Sequence, residues 1–498
     1  MNTTSPASAQ ADPAPAGEPK HPRGLSTLFF TEMWERFSYY GMRALLVLFM
    51  VDKVHDGMGL DDKTATATYG LYTAAVYLMS LPGGWLADRI LGAQRAVWYG
   101  GIIIALGHFT LAIPRPGTFY LGLVLVVLGS GILKPNISAM VAELYPEGGA
   151  RRDAGFTIFY MGVNLGAFIG PLVCSTLGEK INWHYGFGAA GVGMLLGLIQ
   201  FRCSRHLLGS AGLRRGNDRP LNVLERYSLI SVIAVAVLTL GLAMSGRLKL
   251  NPLALAHGMT SVILGIGVLF FVSVFLFCGL NKVEKQRVAV ILVLFLSSAL
   301  FWSGFEQAGS SFNLFAERMT NRHWLNFEVP AGWYQSLGAI FIITFAPLFA
   351  WLWVQLARRN LDPSTPVKFA FGLLFLATGF LVMAAAAKVV ASGTQAAPTW
   401  LVTTYLLHTF GELCLSPVGL SSVTKLAPRK LVGQMMGIWF LATSLGNLIA
   451  GLLAGEFKSD VVNEWPALYL KITLMPVLAG GLLIVLSRPI KRWMAGVK

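Results

Sequence analysis

The sequence predicts an all-α polytopic membrane protein of about fourteen spanning helices. Of its 498 residues 55% are hydrophobic and 13% charged, with a mean hydropathy of +0.61. A water-soluble domain has no use for so much apolar surface. Apolar stretches long enough to cross a hydrocarbon layer also follow one another almost to the C-terminus. A third observation bears on function. Inside the first span, the run T-E-M-W-E-R-F-S-Y-Y-G-M-R (Thr31 to Arg43) holds two acids, Glu32 and Glu35, and two bases, Arg36 and Arg43. Charges in a spanning segment are rare and face a protein interior or a wet cavity.

The net charge of +15 sorts by topology. With both termini inside, about 25 Lys and Arg fall on the inner side and about 11 outside, leaving Arg36, Arg43 and Lys134 in the membrane. The basic excess therefore sets orientation and meets anionic headgroups, and a nucleic-acid partner is not expected. Residues 1–25, rich in Ala, Pro and Ser, read as a disordered cytoplasmic tail. No apolar run with a small-residue cleavage site precedes the first span, so the chain is expected to stay intact. Cys174, Cys203, Cys278 and Cys414 have no paired spacing, so neither a disulfide framework nor a metal site is expected.

Span one covers 26–51. At helical spacing Glu32 and Arg36 are i,i+4 neighbours, and Arg36, Tyr40 and Arg43 share a face that wants polar partners. The segment resembles the first-helix motif E-x-x-E-R-F-x-Y-Y-G of the proton-coupled oligopeptide transporters, a branch of the major facilitator superfamily. Glu32, Glu35, Arg36, Phe37, Tyr39, Tyr40 and Gly41 fill every fixed position. Span two covers 63–88. The stretch G-G-W-L-A-D-R-I-L-G-A-Q-R (Gly83 to Arg95), read as a loop, is similar to the superfamily's cytoplasmic signature. Asp88, Arg89 and Arg95 could latch helix ends in one state, or serve only as a basic topogenic loop.

Span four carries G-S-G-I-L-K-P-N (Gly129 to Asn136). Pro135 removes a backbone donor and loosens the helix beside Lys134, which either lines a cavity or snorkels. The pattern is similar to the family's fourth helix, which favours the cavity. Span five carries F-Y-M-G-V-N-L-G-A-F-I-G-P (Phe159 to Pro171), similar to the family's fifth helix. Its polar member, Asn164, can meet substrate or make an interhelical hydrogen bond. A basic linker at 204–226 separates the halves, and two additional helices without ionisable residues, 227–245 and 257–280 within 227–284, read as structural.

The second half opens with Glu306 and Gln307 near the outer end of a span. Arg43 lies at comparable depth on the repeat-equivalent first helix, which makes Arg43–Glu306 a candidate gate. Leu356 to Arg359 (L-A-R-R) echoes Leu86 to Arg89 (L-A-D-R) and is the direct trace of the repeat. Span ten places Glu412 near the bilayer midplane, repeat-equivalent to Lys134, as a second gating pair. His408, one turn before it, reads as structural, and His108 as packing. Trp439 on span eleven is either a cavity wall or a core aromatic.

The resemblance implies the superfamily fold, with six-helix bundles at 26–203 and 285–498 flanking the additional pair. It implies proton-driven import of di- and tripeptides across a bacterial inner membrane by a rocking-bundle monomer, with protons as coupling ion and no other cofactor. A short peptide is a zwitterion with variable side chains, so it needs a cation, an anion and tolerant walls. Arg36 and Lys134 suit the carboxylate; Glu412, Glu306 and Asn164 suit the amine; Tyr39, Tyr40, Tyr77, Trp302 and Trp439 suit the walls. Glu32, Glu35, Glu306 and Glu412 are the proton-carrying candidates. Two departures stand out: Gly338 occupies the place of an asparagine common on the family's eighth helix, and the second-helix histidine of animal relatives has no counterpart. The alternative solute is nitrate or a small organic, drug-like anion, although paired acids beside Arg36 argue against nitrate. A membrane enzyme would need a set such as H-E-x-x-H or a nucleophile with its base, and neither is found; no residue is assigned a catalytic role.

Overall fold

The computed structural model describes residues 21–497 except 148, 458–460 and most of 215–250. The first expected additional helix, 227–245, falls largely outside the described residues. The first half contains α1 (Gly24–Val51), α2 (Asp62–Leu86), α3 (Ala93–Leu111), α4 (Pro116–Glu143), α5 (Gly149–Lys180) and α6 (Trp183–Ser204). The second additional helix is α7 (Pro252–Phe277). Then follow α8 (Lys282–Phe305), α9 (Ser311–Met319), α10 (Ser336–Arg358), α11 (Thr365–Ala391), α12 (Pro398–Leu426), α13 (Val432–Ala454), α14 (Trp465–Val485) and a terminal helix α15 (Ser487–Trp493). At 1.5 Å per residue, α1 is roughly 42 Å long and crosses with tilt.

Among the described residues, nine helical segments are apolar and long enough to span on composition alone. Helices α1, α2, α3 and α12 are not among them, because they carry more polar and charged side chains, many of them turned into the protein. Boundaries follow local chemistry. The Asp61 carboxylate accepts the Thr64 N–H at the start of α2, and Asn281 and Glu284 form a reciprocal capping box at the start of α8.

In the first bundle α1 packs on α5 and α6, α3 on α4 and α6, and α2 on α4; in the second α11 packs on α12 and α14, and α8 on α13. The α1–α5 approach is close. A Cβ at Gly166 would overlap the Met33 carbonyl and the Arg36 side chain, so glycine there lets α5 lie directly against the charged stretch of α1. Two seams join the halves, α2 with α13 and α5 with α10, and α7 covers the first of them.

Two expectations need correction. Gly83 to Arg95 is not a loop: α2 continues into a π-helical turn at Ala87–Leu91, and only Gly92, at φ 76°, breaks the chain before α3. Glu306 is not near the end of its span. After Phe305 the helix tightens into a 3-10 turn at Glu306–Gly309 and resumes as α9, so nine further helical residues lie beyond it. Between α9 and α10 sits a small hairpin, pairing His323 with Glu328 and Trp324 with Phe327.

Candidate functional site

The charged face of α1 is buried and internally paired. The Arg36 Nε donates to Glu32 Oε1 at 2.8 Å and lies 2.6 Å from Glu35 Oε2. All three side chains are buried, and Arg36 Nη2 and Glu32 Oε2 have no hydrogen-bond partner among the described residues. These three groups sum to one negative charge, which Lys134 balances from α4. Its ammonium lies 4.4 Å from the Tyr77 ring centroid and 4.9 Å from that of Tyr39, with Arg36, Glu35, Glu32 and Glu306 as electrostatic neighbours. Lys134 therefore neither snorkels nor pairs with Glu412. The expected Lys134–Glu412 contact is absent from this conformation, because Lys134 finds aromatic faces and two acids within its own half.

Seven residues beyond Arg36, Arg43 reaches into the second half. Its Nη2 lies 2.7 Å from Glu306 Oε2, its Nε donates to the Tyr69 hydroxyl at 2.6 Å, and its guanidinium sits on the rings of Tyr40 and Tyr69. Both Arg43 and Glu306 are buried, so the pair is not the wet interfacial contact that would carry little energy. Next to it the Gln307 Oε1 accepts the Ser311 hydroxyl at 2.7 Å, tying the 3-10 turn to α9.

Glu412 projects from α12. It is half-buried, its Oε2 has no hydrogen-bond partner among the described residues, and its electrostatic neighbours are Glu306 on its own half and Tyr40 and Tyr160 on the other. Tyr160 was not expected: it sits mid-span in α5 yet is 47% exposed, facing the space between the halves. Asn164, one turn on, is buried, and its Nδ2 donates to the Tyr160 carbonyl at 2.9 Å, which commits its donor side to the helix. Trp302 is half-buried against Phe301 and Phe305. Trp439 is corrected from wall to core. It is buried against Phe369 and in the slot left by Gly419, where any Cβ would overlap its ring. At Gly338 a Cβ would meet nothing within 4 Å, so the missing asparagine leaves open space.

His408 is buried among Phe305, Phe312 and Phe380, and His108 is buried with neither ring nitrogen bonded, in keeping with structural roles. Asp88 and Arg95 are exposed and Arg89 half-buried. At that end of the bundle the Gln94 Nε2 donates to the Ala211 carbonyl at 2.6 Å, and Glu143 accepts the Gly212 N–H at 2.8 Å.

At the face where α1, α5 and α9 end, the halves are bonded shut. Arg318 holds Asp62 with two hydrogen bonds of 2.7 and 2.9 Å, and Lys180 holds Glu328 at 2.7 Å. The Glu179 carboxylate accepts the N–H groups of Ala331 and Gly332 at 2.6 and 2.9 Å. Asn313 donates to the Ala44 carbonyl and Ser336 to that of Phe168. In the Lys180–Glu328 pair, the hydrogen bond from Lys180 holds the Glu328 carboxyl below its ordinary value of 4.5, with Arg322 adding to it and partial burial opposing. Asp62, Glu179, Lys180, Arg318 and Glu328 did not stand out in the sequence, since each flanks a span and reads there as an ordinary loop charge. Together the geometry offers a neutral four-charge cluster on one half, an unpartnered carboxylate on the other, aromatic walls, and one closed face.

Comparison with known proteins agrees with this arrangement. The chain is 45% identical over 487 residues to the peptide transporter YePEPT of Yersinia enterocolitica, covering 95% of each protein. It is 35% identical over 489 residues to a di-/tripeptide transporter of Lactococcus lactis, covering 96% of this chain and 97% of that one. Among solved structures, a mutant of the peptide transporter POT in complex with alafosfalin superposes with a TM-score of 0.88 at 40% identity over 97% of each chain. The fold is thus that of the major facilitator type, in a multi-pass membrane protein. The POT family model matches residues 94–465, and the chain belongs to the POT family.

Proposed function

We propose that this protein is a proton-coupled symporter that imports di- and tripeptides by alternating access. The observation that carries the reading is the split of charge across the interface between halves. Arg36 is held by Glu32 and Glu35 on one side, with Lys134 over the Tyr39 and Tyr77 rings in their field, while Glu412 stands without a partner on the other. A zwitterion laid across that gap meets a cation at its carboxylate and an anion at its amine. Tyr39, Tyr40, Tyr77 and Trp302 supply side-chain space, with Tyr160 added by its exposure. Asn164 can still offer an acceptor to the amine. Relatives covering nearly the whole chain are named as peptide and di-/tripeptide transporters, which supports the same substrate class.

In the proposed cycle, protonation of Glu32 or Glu35 weakens their hold on Arg36 and Lys134, and the freed cation takes the substrate carboxylate. Glu306 is the corresponding acid at the Arg43 gate. With both termini cytoplasmic, the closed face is the outer one and this conformation opens inward, in a monomer of the bacterial inner membrane. A lone anion such as nitrate fits less well, because it leaves Glu412 unanswered.

Dialanine uptake into proteoliposomes tests the proposal. Accumulation should require an inward proton gradient, collapse with a protonophore, and disappear in Glu412→Gln. Equilibration that ignores the gradient would remove the coupling; no uptake of any short peptide by folded protein would sink the substrate assignment.

A further inference from the structure

Away from the transport path, a cavity of about 430 Å³ opens between the start of α8 and the terminal helix α15, lined by Leu280, Lys282, Lys285, Gln286, Ala289 and Trp493. Its chemistry is two-sided. Two ammonium groups, an amide and an indole face an apolar floor, and the lining contains no acid. Glu284, between the two lysines in sequence, is turned back to accept the Asn281 N–H in the capping box. Among the described residues neither lysine forms an ion pair, nor do Lys491 and Arg492 beside Trp493. The wall is fixed: Ile490 and Met494 are buried, and Arg287 donates to the Ala495 carbonyl at 3.3 Å, holding α15 against α8.

The surroundings place this cavity at the boundary between hydrocarbon and water. Just before it α7 ends in Phe277, 81% exposed, and α14 ends in Val485, 74% exposed, which acyl chains would cover favourably. Trp493, 40% exposed, is the residue type that sits at headgroup level.

We propose that this cavity is a binding site for an anionic phospholipid, with the headgroup phosphate between Lys282 and Lys285 and the acyl chains on Phe277 and its neighbours. A soluble phosphate would use the lysines alone; the exposed apolar rim and the tryptophan favour the lipid. The inference holds whichever solute crosses the protein.

Native mass spectrometry of the delipidated full chain, titrated with phosphatidylglycerol or with phosphatidylcholine of the same acyl chains, tests it. Wild type should retain phosphatidylglycerol preferentially. In the Lys282→Gln/Lys285→Gln variant the preference should fall roughly thirty-fold, two cations being removed from a surface where each contributes about a fivefold factor. Lys282→Arg/Lys285→Arg should keep it, which separates charge from any folding defect. Equal retention of both lipids, or an unchanged preference in the Gln variant, overturns the site. So does a rise in thermal midpoint with inorganic phosphate alone that matches the rise with phosphatidylglycerol, since that identifies a soluble anion as the ligand.

Discussion

Replacing Glu306 by glutamine should shift this protein away from the conformation described here. The Arg43–Glu306 contact of 2.7 Å joins two buried side chains across the halves. Removing one partner of a buried pair costs about 3–5 kcal/mol. In Glu306→Gln the new amide would keep one acceptor oxygen toward Arg43, and Arg43 would keep the Tyr69 hydroxyl and two aromatic faces. A charge-assisted hydrogen bond is about twice as strong as a neutral one, so about half of the cost should remain, roughly 2 kcal/mol. Opening the closed face hydrates both groups and recovers that loss, so the open-to-closed ratio should rise about thirty-fold.

Spin labels at exposed Lys53 and Asn326, in a background lacking the four native cysteines, report the cross-half distance at that face. The double-mutant cycle with Arg43→Gln should yield a coupling of about 2 kcal/mol in the conformational equilibrium. A coupling below about 0.5 kcal/mol, or a distance distribution indifferent to Glu306→Gln, would refute the gate.

Three further outcomes follow from packing and charge. Gly451→Val should destabilise the α2–α13 seam by about 1–3 kcal/mol, read as a lower thermal midpoint in detergent, because its Cβ would meet the Thr66 carbonyl and the Gly70 backbone. Trp439→Leu should cost about 2–4 kcal/mol of stability while leaving the KM for dialanine within about twofold, as befits a core residue; a large KM change with intact folding would return it to the cavity wall. The Lys180–Glu328 pair has a depressed carboxyl, so its contribution is complete above the ordinary carboxyl value of 4.5 and is lost as pH falls through the lowered one. The part of the pH response of the Lys53–Asn326 label distance that Glu328→Gln removes should therefore lie below the ordinary carboxyl value; an unchanged acid response in Glu328→Gln would assign it to another group.

What was legible in the sequence was what repeats or keeps helical spacing. Glu32 and Arg36 meet because they are one turn apart, and Arg43 meets Glu306 because the two helices are repeat-equivalent. The depth of Glu306 was not legible, since the 3-10 turn that carries it contains no proline to announce a break. Equivalence also misled for Lys134 and Glu412. It gives two residues comparable positions without saying which conformation brings them together, and local tyrosines and acids compete for the lysine here. Trp439 was ambiguous because its fate depends on Gly419, a residue on another helix. The closed-face bonds of Asp62, Glu179, Arg318 and Glu328 lie beyond any local pattern, because each partner is supplied by the other half.

The two seams between the halves differ in a way that says how such a gate can move. Along α2 and α13 contact runs from Thr66 against Gly451, through Gly70 and the hydrogen bond from Ser444 to the Ala74 carbonyl, to Leu81 opposite Gly437. That seam is close-packed along the span, with the exposed Lys63–Glu456 ion pair at one end. The α5–α10 seam is fastened at one end, by Glu179 on two backbone N–H groups, Trp333 on Thr176 and Ser336 on Phe168. Each of these bonds can be replaced by water at little cost. Rocking therefore costs least as a rotation about α2–α13 that parts α5 from α10. Arg43–Glu306 lies between pivot and latch, and Glu306 is an electrostatic neighbour of both Lys134 and Glu412. In the proposed cycle a proton on Glu306 thus weakens the gate and changes the field at both ends of the bound peptide in one step.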